Sequence, residues 1–208
     1  MTVVDSINAI SHFLKKEVCD KVEFLLPPKD RLDGKNYKPQ YVHPSVYPLY
    51  VPKNNTMEPN ALSVLPYISV QFMEGSDDIP ASQTETKFML EFAIWRPGDY
   101  EFISNAKLLN VTTVADSTKM SFEADMSNEF IRNHNGWMDV WNFVEVTKKT
   151  LLRKVVVADK MSLKLNEKVK YGVYSKDGAV FDFYPMWYAW MSFTMTHLLQ
   201  VVEKDDFL

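Results

Sequence analysis

The amino-acid sequence predicts an α+β fold, an antiparallel or mixed β-sheet covered by two main helices. Two segments, 3–18 and 137–152, repeat apolar residues at helical spacing. Two others, Thr84–Trp95 and Met191–Leu198, alternate apolar and polar residues as half-buried strands do. A proline- and tyrosine-rich segment separates the first helix from the first strand pair.

In the first segment Val3, Ile7, Ile10, Leu14 and Val18 recur on one helical face. Asp5 or Ser6 is expected to cap its start, and Lys15 and Lys16 suit its electronegative end. Lys21–Leu26 reads as a short strand stopped by Pro27 and Pro28. Residues 27–65 hold seven prolines, at 27, 28, 39, 44, 48, 52 and 59, and four tyrosines, Tyr37, Tyr41, Tyr47 and Tyr50. Each proline removes a backbone donor and fixes φ, so helix is not expected there. The segment reads as a long surface loop. The alternative is an arm that grips a neighbouring subunit through its tyrosines, a residue enriched at interfaces.

Tyr67–Met73 reads as a strand and Glu74–Pro80 as an acidic turn carrying Glu74, Asp77 and Asp78. The long strand Thr84–Trp95 then runs antiparallel to the first, and Arg96-Pro-Gly-Asp ends it. Residues 98–134 read as an insertion, with short strands at Phe102-Ile103 and Val111–Val114 and a helix or loop at Asp125–Ile131. In the second helix Trp137, Val140, Trp141, Val144, Lys148 and Leu151 share a face, and all but Lys148 are apolar. Asn135 is expected to cap it, and Lys148, Lys149 and Arg153 complement its C-terminal dipole.

Val155–Val157, Ser162–Leu165 and Val169–Tyr174 read as short strands, with a turn at Lys176–Gly178. Trp187 and Trp190 fall in a turn that enters the last strand, where they anchor a subunit contact or close the core. That strand places Met191, Phe193, Met195 and His197 on one face. The tail from Glu203 is expected to be mobile.

With 208 residues the chain is read as a single domain, 1–208, able to bury a core without disulfides or metal. The net charge of −4 argues against a sequence-independent DNA binder, whose surface is ordinarily basic. Only six glycines are present, and no glycine-rich phosphate loop is formed. The single cysteine, Cys19, excludes an intramolecular disulfide and lies beside Glu17 and Asp20, whose charges disfavour a thiolate. No apolar run is long enough for a membrane span, and the N-terminus does not resemble a signal peptide, so a cytoplasmic site of assembly is expected.

No catalytic or metal-binding constellation stands out. His12, His43, His134 and His197 show no ligand spacing, and His134 reads as part of an Asn-His-Asn-Gly turn. The acidic groups at 74–78 and at Asp205 and Asp206 read as solvated faces, or, for the turn, as a ring contact or a surface facing a channel. No metal and no cofactor are expected. Trp137 and Trp141 are read as core rather than as a ligand platform.

The parts stand in a telling order: an N-terminal helix, a strand ending in Leu-Pro-Pro, then Pro66-Tyr-Ile-Ser-Val and Glu74-Gly-Ser-Asp-Asp. A long strand, a Gly136-Trp137-Met-Asp-Val140 helix and a Tyr184-Pro-Met-Trp-Tyr-Ala-Trp-Met-Ser-Phe-Thr-Met ending follow. This order resembles the tail terminator proteins of long-tailed bacteriophages, especially those of Gram-positive hosts. The resemblance covers 1–26, 66–97 and 135–198 and leaves out 98–134. Met186-Trp187 and Ala189-Trp190 stand where the family more often has aromatic and small residues.

The resemblance implies a virion structural protein at the tail–neck junction, not an enzyme. Copies would close into a hexameric ring that caps the tail tube protein, ends its polymerisation and offers its other face to a head-connector or neck protein. DNA would pass through the channel, and no membrane would be involved. The subunit or tube contacts expected are Tyr37, Tyr41, Tyr47, Tyr50, Glu74, Asp77, Asp78, Trp187 and Trp190. Two other readings stay open: another neck or head-completion protein of the same particle, and a small hydrolase using scattered carboxylates.

Overall fold

The computed structural model describes residues 1–28, 39–51, 64–102, 105–114, 117–125, 128–132, 135–177 and 179–199. It is a mixed α+β fold, with two helices and a curled, mostly antiparallel sheet.

The first helix, α1, spans Val3–Glu17. Its cap is Thr2, one turn earlier than expected, and Asp5 is the reciprocal partner. Thr2 Oγ1 accepts from the Asp5 amide at 3.1 Å, and the Asp5 carboxylate accepts from the Thr2 amide at 3.0 Å. Val3 is exposed; Ile7, Ile10, Phe13 and Leu14 form the buried stripe. The strand expected over Lys21–Leu26 is only β1, Phe24–Leu25, because Cys19–Lys21 forms a 3₁₀ turn first.

The proline-rich segment is not wholly loop. Its described part carries β2 (Tyr41–Val42), antiparallel to β1, and β3 (Ser45–Pro48). β3 runs parallel to β4, Tyr67–Asp78. Pro48 closes that ladder, where a missing N–H costs least. Tyr37 lies outside the described residues.

The expected acidic turn is instead strand. β4 continues to Asp78 and pairs with β5, Gln83–Trp95, so the hairpin turns at 79–82. Its register shifts between Phe72 and Glu74, so Met73 is the extra residue of a bulge. β5 also pairs along its whole length with β15, Met186–Leu198. Trp187 and Trp190 are therefore strand residues rather than turn residues.

Residues 98–132 hold more strand than expected. β6 (Gly98–Phe102) pairs β9 (Asn128–Arg132), and between them β7 (Asn105–Val114) pairs β8 (Ser117–Asp125). The chain thus goes out and returns as two nested two-stranded ladders, here called the arm. Asp125–Ile131, expected as helix or loop, contributes to β8 and β9.

The second helix, α2, spans Gly136–Lys154. Asn135 occupies the cap position, but its side chain does not cap the helix. The buried face is also rotated from the expected one. Val140, Phe143, Val144, Thr147, Thr150 and Leu151 are buried, whereas Trp137 is 50% exposed. Thr147 Oγ1 donates to Phe143 O at 2.9 Å, so its hydroxyl is satisfied within the helix and can face the core. Trp141 is half-buried, edge-on to Tyr171.

Short strands follow: β10 (Val156–Val157), β11 (Met161–Leu163), β12 (Lys170–Gly172), β13 (Ser175–Lys176) and β14 (Ala179–Val180). The main sheet has the order β10-β11-β15-β5-β4-β3, with β12 beside β11 on the same side of β15. The expected tail lies outside the described residues.

Register explains the core. Phe92 lies between Ile68 and Ala189, Leu90 between Val70 and Met191, and Phe88 between Phe72 and Phe193. Directly opposed residues share a face, so these nine build one apolar surface. α1 brings Ile10 and Leu14 to it, and α2 brings Val140, Phe143 and Val144. The Phe143 ring lies 5.2 Å from Phe92 and 4.7 Å from Phe24. Residues of opposite parity form a smaller cluster of Leu25, Leu65, Tyr67, Ala93 and Trp95.

Candidate subunit interface

The motifs that stand far apart in the sequence meet at the root of the arm. Arg96 and Pro97 lead out of β5 into β6, and Asn135 and Gly136 lead back into α2. The Tyr184–Trp187 segment grips this root. The Arg96 amide donates to Pro185 O at 2.9 Å, Trp187 Nε1 donates to Arg96 O at 2.8 Å, and Tyr184 Oη donates to Pro97 O at 2.6 Å. Arg96 Nε lies 3.5 Å from an Asp139 carboxylate oxygen. The rings of Tyr184 and Trp187 stand perpendicular, 6.5 Å apart.

Gly136 is what lets the helix begin under the indole. A Cβ there would fall 2.1 Å from Trp187 Nε1, a distance no real contact adopts. Trp190 sits similarly over Gly172, 3.1 Å from where a Cβ would be, and donates to Val173 O at 3.2 Å. The two tryptophans are three apart in one strand and so face opposite sides of the sheet. Trp187 packs against the main core, and neither indole N–H is available to a partner.

Exposed apolar groups surround this junction. Trp137, Val180, Phe181 and Phe183 are all more than 40% exposed, and with Met186 and Tyr188 they line a cleft. Phe183 lies 5.2 Å from Tyr188 and 5.8 Å from Phe181. On the other side of α2 a cleft of about 340 Å³ is lined by Phe24, Tyr41, Trp95, Arg96, Asp139 and Val146. Trp137, Phe181 and Phe183 were not among the expected contacts. Their signal in the sequence was weak, since alternation around β14 fails and Trp137 reads as core.

The tyrosines of the proline-rich segment do not act together. Tyr41 and Tyr50 are exposed, at 57% and 82%. Tyr47 is turned inward, its ring 5.8 Å from Tyr67 in the smaller cluster. The three acidic residues lie along the outer part of β4 and have intramolecular partners. Glu74 pairs with Lys87 at 3.0 Å, Asp77 accepts from Thr84 Oγ1 at 2.7 Å, and Asp78 accepts from the Ala81 amide at 3.1 Å.

Glu91 is a polar centre on the sheet face of the smaller cluster. It accepts from Tyr67 Oη at 2.7 Å and from Tyr174 Oη at 2.8 Å. Burial first, and then these bonds to a carboxylate, push both phenols far above their ordinary value. They remain donors and tie the segment bearing β13 to the sheet. Lys164 bridges Glu85 at 2.6 Å and Glu167 at 2.7 Å. Cys19 is buried, and burial pushes its thiol up to about 12, so it stays a thiol.

Among the described residues no three His, Cys, Asp or Glu converge as a metal site, and no helix is long and apolar enough to cross a membrane. The chain matches no family model and no curated protein.

Proposed function

We propose that this chain is a structural subunit that closes into a hexameric ring on the end of a phage tail tube. There it ends tube polymerisation and offers the joining surface for the head connector. On this reading α1 and α2 cover one face of the sheet, as in a tail terminator, and the remaining surfaces meet neighbours. The ring would leave a channel for DNA and would be part of the virion.

One observation supports the reading most. The Gly136-Trp137-Met-Asp139 and Tyr184-Pro-Met-Trp187 motifs, on which the resemblance depends, pack against each other around Arg96-Pro97. Exposed aromatic side chains ring the same junction, and such residues are favoured where protein surfaces dock. A heterologous contact between unlike patches closes into a ring when the rotation per subunit fits.

The test is assembly of particles without this chain, viewed by negative stain. Overlong tails are expected. Tails of normal length that fail to join heads would assign the chain to the neck instead. Native mass spectrometry of the purified chain, alone and with tube protein, should show a single ring size. Monomer only, under both conditions, would end the proposal.

A further inference from the structure

We infer that the arm, 98–132, is the element that joins neighbouring copies, by pairing the β7 edge of one copy with the β8 edge of the next. The inference rests on the ring reading above and names its contact.

The argument begins with sheet edges. Every other open edge among the described residues is short or blunted. β3 has four residues and ends in Pro48, which has no N–H to offer. β10 has two residues and is flanked by Val155 and Ala158 at positive φ, 38° and 52°. β12 has three residues and carries Lys170, and charged lysine is a common guard of an edge. β1, β2, β13 and β14 have two residues each.

β7 and β8 are different. They have ten and nine residues and pair only with each other. In a two-stranded ladder roughly half of the backbone N–H and C=O groups point away from the partner strand. Such a ribbon alone is marginally stable in water and gains from a further strand. The edge long enough to match it is another arm, which makes a second copy of this chain the occupant.

The two edges of the arm are unlike, one from an outgoing strand and one from a returning strand. Pairing β7 with the next copy's β8 continues the antiparallel alternation and leaves the same two edges free for further copies. That is the heterologous geometry a closed ring requires. The root of the arm is also fixed in direction, by Tyr184, Trp187 and the Arg96–Asp139 pair. An arm that must find a neighbour's arm gains from being aimed in advance.

The experiment compares the full chain with one in which residues 103–127 are replaced by Asn-Gly. Phe102 and Asn128 are opposed, so a two-residue turn joins β6 to β9 without changing their register. Far-ultraviolet circular dichroism and the unfolding midpoint check that the body still folds. By native mass spectrometry the full chain should form a ring and the shortened chain a monomer. A shortened chain that forms the same ring overturns this inference and leaves the ring reading standing. A full chain that stays monomeric, with or without tube protein, overturns both, and a full chain that stops at a dimer overturns this pairing. Residue-resolved amide exchange gives a second readout that needs no variant. In the ring, successive amides along β7 and β8 should all be protected; alternate fast exchange in a ring of unchanged size sinks the inference.

Discussion

The indole of Trp187 lies where a side chain at position 136 would have to be: a Cβ on Gly136 would stand 2.1 Å from Trp187 Nε1. The glycine is therefore a packing requirement at the start of α2. Gly136→Ala should destabilise the fold by about 1–3 kcal/mol, the range for overpacking, despite alanine's better helix propensity. Equilibrium denaturation measures it. Combining it with Trp187→Leu should cost less than the two single changes summed, because the clash disappears with the ring. Strict additivity would show that the contact is not made.

Tyr184 holds the exit of the arm through its bond to Pro97 O at 2.6 Å. Tyr184→Phe removes only the hydroxyl, and the expected loss is about 0.5–1.5 kcal/mol, typical of one hydrogen bond. Amide exchange should quicken at Gly98 and Asp99 more than in β5. Uniform quickening along the chain would point to a general loss of stability instead.

Two aromatic positions should separate folding from assembly. Phe92 is fully buried between Ile68 and Ala189, and Phe92→Ala should cost about 3–5 kcal/mol. Trp137 is 50% exposed, so Trp137→Ala should change stability by roughly 0.5 kcal/mol or less. On the ring reading, Trp137→Ala also weakens assembly at unchanged unfolding midpoint. Intact assembly in that variant would remove Trp137 from the interface.

Acid should unfold the chain partly through three surface carboxylates. Asp5 is held below its ordinary value by hydrogen bonds from Thr2, Glu17 by its bond from Lys21, and Glu167 by its bond from Lys164. A depressed folded-state value contributes stability that is complete above the unfolded value and lost as pH falls through the folded one. The stability difference between the native chain and Asp5→Asn should therefore be constant from neutral pH down to the ordinary Asp range, about pH 4. Below that it should shrink. Thermal melts across an acid series give the curve, and a gap that widens toward low pH contradicts the cap.

Much of this fold was legible where burial is one-sided. α1 and the β4–β5 pair announced themselves because their apolar residues keep a single period. β3 was hidden because its prolines read as loop, although a proline at the end of an edge strand removes a donor that faces nothing. The arm lacked a signal because a ribbon with no buried face need not alternate apolar and polar residues. In α2 the strongest apolar residues misled, since Trp137 and Trp141 lie off the buried stripe, which includes Thr147 and Thr150. Of the expected contacts, Tyr41 and Tyr50 are on the surface, but Tyr47 and Trp187 are committed inward. Proximity of the Gly136 and Tyr184 motifs could not be read from spacing, because it depends on β15 returning along the full length of β5.

The bulge at Met73 sets the phase of the outer hairpin. Before it, Ile68, Val70 and Phe72 share the core side; after it, Glu74 falls opposite Lys87 and Gly75 opposite Thr86. Deleting Met73 alone would bring Glu74 opposite Thr86, toward the oily side, and turn every residue from there to the tip inside out. The hairpin thus behaves like a reading frame. Its tip is open to length changes, but within its strands a single-residue indel scrambles everything downstream, and only a compensating indel restores the sense.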